Sequence, residues 1–181
     1  MAFWLGSHRD EIVDSAKRWH VDPRAIAGAI AWEALQNPRG WSLRGPGAGK
    51  VHSFAMPWEL GILNPSNPLA LQWAETVEIM GLLPRQNIID RRRIQQDPAV
   101  AINYIGAIMH VIAQIAEHRH WSVRDQPGVL TYAYHARDPL SWSRTVATKS
   151  QADLFKLPRD MMGGWVAEHL QFLEAAVGKG F

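Results

Sequence analysis

Apolar residues recur at helical spacing in several segments of the chain. A helix is predicted along residues 9–19, and a second from Pro23 to about Gln36, with Asp22 as its N-cap and Asn37-Pro38 as its end. Further helices are predicted over the remaining apolar segments, namely 68–80, 97–117, 124–136 (broken near Gly128) and 162–176. No run of alternating strand residues is found. The pattern therefore predicts a mostly α fold, with residues 97–117 as a buried central helix.

Two segments lack this periodicity. Residues 39–67 are rich in Gly, Pro, Asn and Ser, and a long loop is predicted there, directly after the second helix. A loop of this length in a compact domain is more often functional than accidental. Residues 137–159 are predicted to be a polar, irregular run.

The length and composition of the chain limit the classes of protein to which it can belong. A chain of 181 residues with 47% hydrophobic residues fits one domain over residues 1–181. No stretch is expected to be long and apolar enough to span a membrane, and the first ten residues lack the features of a signal peptide. We therefore expect synthesis in the cytoplasm, no membrane insertion and, for any action outside the cell, a route other than general secretion. Cysteine is absent. The net charge of +2 and the pI near 9.2 would suit an anionic polymer, but they do not distinguish nucleic acid from cell wall.

Glu33 stands where the second helix should present an apolar residue. Ile26, Ile30 and Glu33 share one helical face, and an ionised carboxylate without a partner is costly to bury. Glu33 also lies in the last turn, where the helix dipole disfavours negative charge. Both effects favour the protonated carboxyl and hence a proton donor. The alternatives are a Glu33 paired with Arg39 or Arg44, or one that turns out to solvent.

Three sequence motifs carry a resemblance. The segment VDPRAIAGAIAWEA (21–34) resembles the helix with the catalytic Glu in the lytic transglycosylase and goose-type lysozyme superfamily. GAGKVHS (47–53) resembles the glycine-rich segment that follows this Glu. VLTYAYHARD (129–138) resembles the family's Leu-x-x-x-Tyr-Asn-Ala-Gly segment, with His135 and Arg137 in place of the Asn and Gly.

The resemblance implies a lysozyme-like helical domain that cleaves the β-1,4 bond between N-acetylmuramic acid and N-acetylglucosamine in peptidoglycan. Glu33 would donate the proton, Tyr134 would hold the acid or the sugar, and Gly49 would let the glycan approach the backbone. His52, which replaces a Gln, and His135 would alter the hydrogen bonds to the sugar. Hydrolysis and anhydro-sugar formation both remain open.

A second carboxylate is not assigned. Glu59, in the long loop, is a candidate that would face the substrate, and Glu75, Asp90 and Asp97 are others. Asp97 is predicted to be an N-cap instead. Lytic transglycosylases manage without a second acid, because the acetamido group of the substrate assists.

Tryptophan is frequent, with 9 residues. Trp41 and Trp58 lie in the long loop and are candidates for stacking on sugar rings. The tryptophans in helical patterns are predicted to be core residues, and they are Trp19, Trp32, Trp73 and Trp165.

Metal and nucleic-acid sites are not expected. His110, His118 and His120 lack the spacing of metal ligands, so no metal or cofactor is predicted. The arginines at 91–93 are predicted to form a solvated turn rather than a nucleic-acid site.

Lysozyme-like domains without signal peptides occur as antibacterial toxins, including type VI secretion effectors, and as phage lysis enzymes. This analogy implies action in the periplasm or cell wall of a target cell, and a cognate immunity protein. The alternative is a non-catalytic helical module of a phage or secretion system that binds glycan or a partner. A helical nucleic-acid binder is a weaker third hypothesis.

Overall fold

The computed structural model describes residues 1–36, 68–94 and 97–179, and within these ranges the only regular secondary structure is α-helix. The prediction of a mostly α fold is confirmed. The helices, in chain order, are α1 Ala2–Ser7, α2 Arg9–Trp19, α3 Pro23–Gln36, α4 Pro68–Ile79, α5 Ile88–Ile94, α6 Pro98–Glu117, α7 Pro127–Ala136, α8 Pro139–Thr148, α9 Gln151–Leu154, α10 Met162–Glu168 and α11 Leu170–Val177.

Helix α6 forms the centre of the fold. The Asp97 side chain accepts a hydrogen bond from the Ala99 N–H at 2.8 Å, so the predicted N-cap is confirmed. Helix α2 packs against α6 where the missing side chain of Gly106 leaves room for Ser15 and Trp19. Helices α4, α7 and α8 cover other parts of its surface.

The apolar length of α6 was underestimated from the sequence. An 18-residue window of this 20-residue helix has a mean hydropathy of 1.7, so the helix is long and apolar enough to cross a membrane by length and composition. The prediction that no stretch approaches a span is therefore wrong for this segment. In the structure 67% of its apolar window is buried inside the protein, and core helices pass the same test. Packing against α2, α4, α7 and α8 accounts for its composition.

Helix α3 has the predicted bounds, and it packs against helices from distant parts of the sequence. Asp22 accepts a hydrogen bond from the Arg24 N–H at 2.8 Å and also pairs with the Arg24 guanidinium, which fixes the start of the helix. Helices α2, α7, α10 and α11 pack around α3. At Gly28 a Cβ atom would lie 2.6 Å from Cγ2 of Val166, so glycine permits the close approach of α10.

Helices α7 and α10 pack closely against each other, with a glycine on each side of the contact. A Cβ atom at Gly163 would lie 2.5 Å from the carbonyl oxygen of Gly128 and 2.6 Å from Cβ of Tyr132. Helix α7 begins at Pro127 and continues through Gly128, so the predicted break there is wrong. Gly128 serves the helix crossing instead.

Two predicted boundaries in the C-terminal third also differ from the structure. The segment predicted to be irregular contains α8, whose capping box joins Asp138 and Ser141, and the short α9. Side-chain caps, which the apolar pattern does not register, start both helices. The last predicted helix is divided at His169 into α10 and α11, and Gly178 with φ +90° ends α11 as predicted.

A buried ionic cluster joins α4, α5 and α6. The Arg91 guanidinium donates to both carboxylate oxygens of Glu78 at 2.8 and 2.7 Å, and the Tyr104 hydroxyl donates to the same carboxylate at 2.8 Å. Burial alone would raise the pKa of Glu78, but the hydrogen bonds from Arg91, the Gln86 N–H and Tyr104 outweigh it and lower the pKa. Arg91 is 6% exposed, so its prediction as part of a solvated turn is wrong. Its carboxylate partner, Glu78, lies 13 residues earlier in the chain, so a local pattern of charges does not indicate the pair.

Candidate active site

Glu33 lies in the last turn of α3 and faces α7. Its side chain is only 16% exposed, and its Oε1 lies 3.5 Å from Nδ1 of His135, whose side chain is 38% exposed. An ionised carboxylate and a protonated imidazole at this distance would form an ion pair. The contact of α3 with α7 thus brings one partly buried carboxyl beside one imidazole.

Tyr134 is the second motif residue at this place. Burial raises the pKa of its phenol well above the ordinary value of 10.0, and the charge of Glu33 raises it further. The hydroxyl therefore stays neutral at physiological pH, within electrostatic reach of Glu33. The neighbouring Tyr132 has a different environment, because its hydroxyl accepts a hydrogen bond from Nη2 of Arg137 at 2.7 Å. The two side chains have different surroundings, as expected for residues two apart on a helix.

Four rings continue from this carboxyl along α7, α3 and α10, and we refer to His135, Trp32, Trp165 and His169 as the aromatic row. His135 and Trp32 meet edge to face at 6.4 Å between ring centroids, and Trp32 and Trp165 are tilted at 6.1 Å. Trp165 and His169 are stacked at 4.2 Å with 16° between their planes. The row thus links Glu33 to the junction of α10 and α11.

The structure corrects the sequence interpretation of Trp32 and Trp165. Both were predicted to be core residues, but both are only partly buried, whereas Trp19 and Trp73 are in the core as predicted. Trp32 could have been found, because it directly precedes the candidate acid. Trp165 and His169 could not, because they reach Trp32 only through the tertiary packing of α10 against α3 and α7.

Several predicted substrate-binding residues lie outside the described residues, and they are Trp41, Gly49, His52, Trp58 and Glu59. The alternative partners of Glu33, Arg39 and Arg44, also lie there. The described part of the site therefore consists of Glu33, Tyr134 and the aromatic row.

The other candidates for a second carboxylate have partners near α4–α6. Glu75 is half-exposed, 3.8 Å from Nη1 of Arg91, and Asp90 accepts a hydrogen bond from the Asn87 side chain at 2.6 Å. Asp97 caps α6.

Within the described ranges, no group of three His, Asp or Glu side chains is arranged to hold a metal ion. The His110 ring is partly buried, and its Nδ1 donates to the Trp19 carbonyl at 2.8 Å. Burial lowers the pKa of His110. His118 and His120 lie exposed beyond the end of α6.

Two cavities lined by described residues lie elsewhere. One of about 370 Å³ is lined by His20, Asp22 and Arg124 among others, and one of about 520 Å³ lies between α2 and α6. Neither is lined by Glu33. We base the candidate site on the chemistry of the side chains around this carboxyl, because volume alone assigns no reaction.

No family model, curated protein or solved structure matches the chain.

Proposed function

We propose that this protein is a lysozyme-like glycosidase that cleaves the β-1,4 bond between N-acetylmuramic acid and N-acetylglucosamine in peptidoglycan. One observation carries the proposal: Glu33 is shielded from solvent and faces His135 and Tyr134, so the residues of two sequence motifs nearly a hundred positions apart meet at one carboxyl. The motif resemblance supplies the substrate class.

In the proposed reaction Glu33, as the protonated acid, transfers its proton to the oxygen of the leaving sugar while the glycosidic bond breaks. Tyr134, a buried phenol whose pKa is also raised by the charge of Glu33, would orient the acid or the sugar. His135 is close enough to stabilise the carboxylate that remains after proton transfer. Attack by water at the anomeric carbon would give hydrolysis, and attack by the sugar's own hydroxyl would give an anhydro product. In either case the attacking hydroxyl gives its proton to the Glu33 carboxylate as the new C–O bond forms.

The test compares wild type and Glu33→Gln on purified peptidoglycan, with turbidity loss as the rate and mass spectrometry of released muropeptides as the product assay. We expect Glu33→Gln to lose about a hundredfold or more of the rate, the order of magnitude of general acid catalysis. Glu11→Gln, at a 40% exposed carboxyl on α2, is the matched control and should retain full activity. Equal activity of Glu33→Gln and wild type would exclude Glu33 from the mechanism.

The aromatic row also suits the alternative, a module that binds glycan without cutting it. Retention on peptidoglycan with no release of muropeptides, by wild type as well as by Glu33→Gln, would favour that function.

We further propose that the enzyme is an antibacterial toxin, made in the cytoplasm, that acts in the periplasm or cell wall of a target cell and is neutralised by a cognate immunity protein. The warrant is the resemblance alone. Expression fused to a periplasmic export signal should lyse a bacterial host, while cytoplasmic expression and the exported Glu33→Gln variant should not.

A further inference from the structure

We propose that the aromatic row is a glycan-binding subsite, which holds N-acetylated sugar rings of the strand whose bond is placed at Glu33. This inference rests on the proposed function and extends it from the acid to the α10–α11 junction. It assigns substrate contacts to Trp32, which lies in the first motif, and to Trp165 and His169, which lie outside all three motifs.

Exposure separates the row from the tryptophans of the core. Trp73 and Trp142 are fully buried, and each indole N–H donates to a backbone carbonyl, of Arg137 at 2.7 Å and of Ile112 at 2.9 Å. Trp32 and Trp165 instead retain exposed surface. Aromatic side chains with one apolar part and one accessible part are typical of recognition surfaces.

The chemistry of the rings fits a sugar better than a purely apolar ligand. A pyranose has a face of C–H groups and a rim of hydroxyl and acetamido groups, so it needs both ring faces and polar edges. The indoles supply apolar surface, and the two imidazoles at the ends of the row supply nitrogens. The Nδ1 of His169 donates to the Trp165 carbonyl at 2.8 Å, which leaves Nε2 as an acceptor for a sugar N–H or O–H.

The row is held in place before any ligand arrives. His169 stacks on Trp165 and bonds to its carbonyl, which restrains both rings. The glycine contacts at Gly28 and Gly163 hold α10 close to α3 and α7. Rings that are already ordered lose little conformational entropy on binding, and this favours affinity.

The test uses the Glu33→Gln protein, so that binding is measured without cleavage. Retention on purified peptidoglycan and titration with soluble N-acetylglucosamine oligomers, followed by tryptophan fluorescence, give the affinity. We expect Trp165→Ala and His169→Ala each to weaken binding about three- to tenfold, the range of one aromatic contact. Trp165→Phe, which keeps a ring, should lose less than Trp165→Ala.

The control variants are Phe155→Ala and His118→Ala, which remove an exposed aromatic ring and an exposed imidazole outside the row. Both should bind like the parent. Circular dichroism checks that each variant is folded. If Trp165→Ala does not fold, then Trp165→Phe and His169→Ala decide the matter.

Unchanged affinity in folded His169→Ala and Trp165→Phe would overturn the subsite. If wild type cleaves peptidoglycan while these variants still bind like the Glu33→Gln parent, the proposed function is supported and the subsite is excluded. If the row variants lose binding but wild type releases no muropeptides, the glycan-binding subsite is supported and the proposed glycosidase activity is excluded.

Discussion

The crossing of α7 and α10 can be tested by adding one methyl group, in Gly163→Ala. The new Cβ would lie 2.5 Å from the Gly128 carbonyl oxygen and 2.6 and 3.1 Å from Cβ and Cα of Tyr132. These are backbone atoms or atoms attached to it, so no side-chain rotation relieves the contact, and the two helices must separate.

The expected magnitude follows from two opposing terms. Overpacking a tight contact costs about 1–3 kcal/mol, and the rigid neighbours place this site near 3 kcal/mol. Alanine is favoured over glycine within a helix by about 1 kcal/mol. The free energy of unfolding should therefore fall by about 2 kcal/mol, and the melting temperature by about 4–8 °C for a chain of this size.

Urea denaturation followed by circular dichroism measures this change. Gly6→Ala in α1 is the matched control, because its Cβ would meet nothing within 4 Å, so it should be neutral or stabilising by up to about 1 kcal/mol. Because α10 carries Trp165, Gly163→Ala should also weaken glycan binding. A Gly163→Ala protein as stable as wild type would refute the account of this crossing.

Three further predictions concern other groups. Arg91→Met leaves the Glu78 carboxylate buried without its main partner and should lower the free energy of unfolding by about 3–5 kcal/mol in urea titration. Adding Glu78→Met should recover most of this loss. No recovery would contradict the explanation that the loss comes from a buried, unpaired charge. Burial lowers the pKa of His110 from 6.5, so as the pH falls the unfolded chain takes up a proton at this residue before the folded chain does. The free energy of unfolding should therefore decline from pH 6.5 down to the lowered pKa. His110→Gln should make this decline smaller. Tyr134→Phe should stay folded but lose about ten- to a hundredfold in turnover of peptidoglycan if its hydroxyl bonds to Glu33 or the sugar, and an unchanged rate would restrict Tyr134 to packing.

The sequence predicted helices where the start and the apolar stripe are both local. Helix α3 has its predicted bounds because Pro23 and Asp22 define its start and the apolar run continues without interruption. The acid on this helix was also predictable, since a carboxylate interrupts an apolar face. Helix α8 was missed, because its start depends on reciprocal hydrogen bonds between Asp138 and Ser141 rather than on apolar spacing.

The neighbours of Glu33 could be predicted only in part. His135 and Tyr134 belonged to a recognisable motif, but their approach to Glu33 depends on how α3 and α7 pack. Trp165 and His169 carry no local signal, because their position beside Trp32 depends on the packing of α10 against α3 at Gly28 and against α7 at Gly128 and Gly163. Local sequence patterns do not predict tertiary contacts of this kind.

The packing of α3 against α7, α10 and α11 has a consequence for biosynthesis. These three helices begin about a hundred residues or more after α3, so the face of α3 that they cover emerges from the ribosome long before its partners. The nascent chain must carry that exposed apolar surface until synthesis has passed residue 177. Assembly around Glu33 is thus a late, long-range folding event, and slowing translation after α7 should lengthen the time in which the chain is open to aggregation or to chaperones.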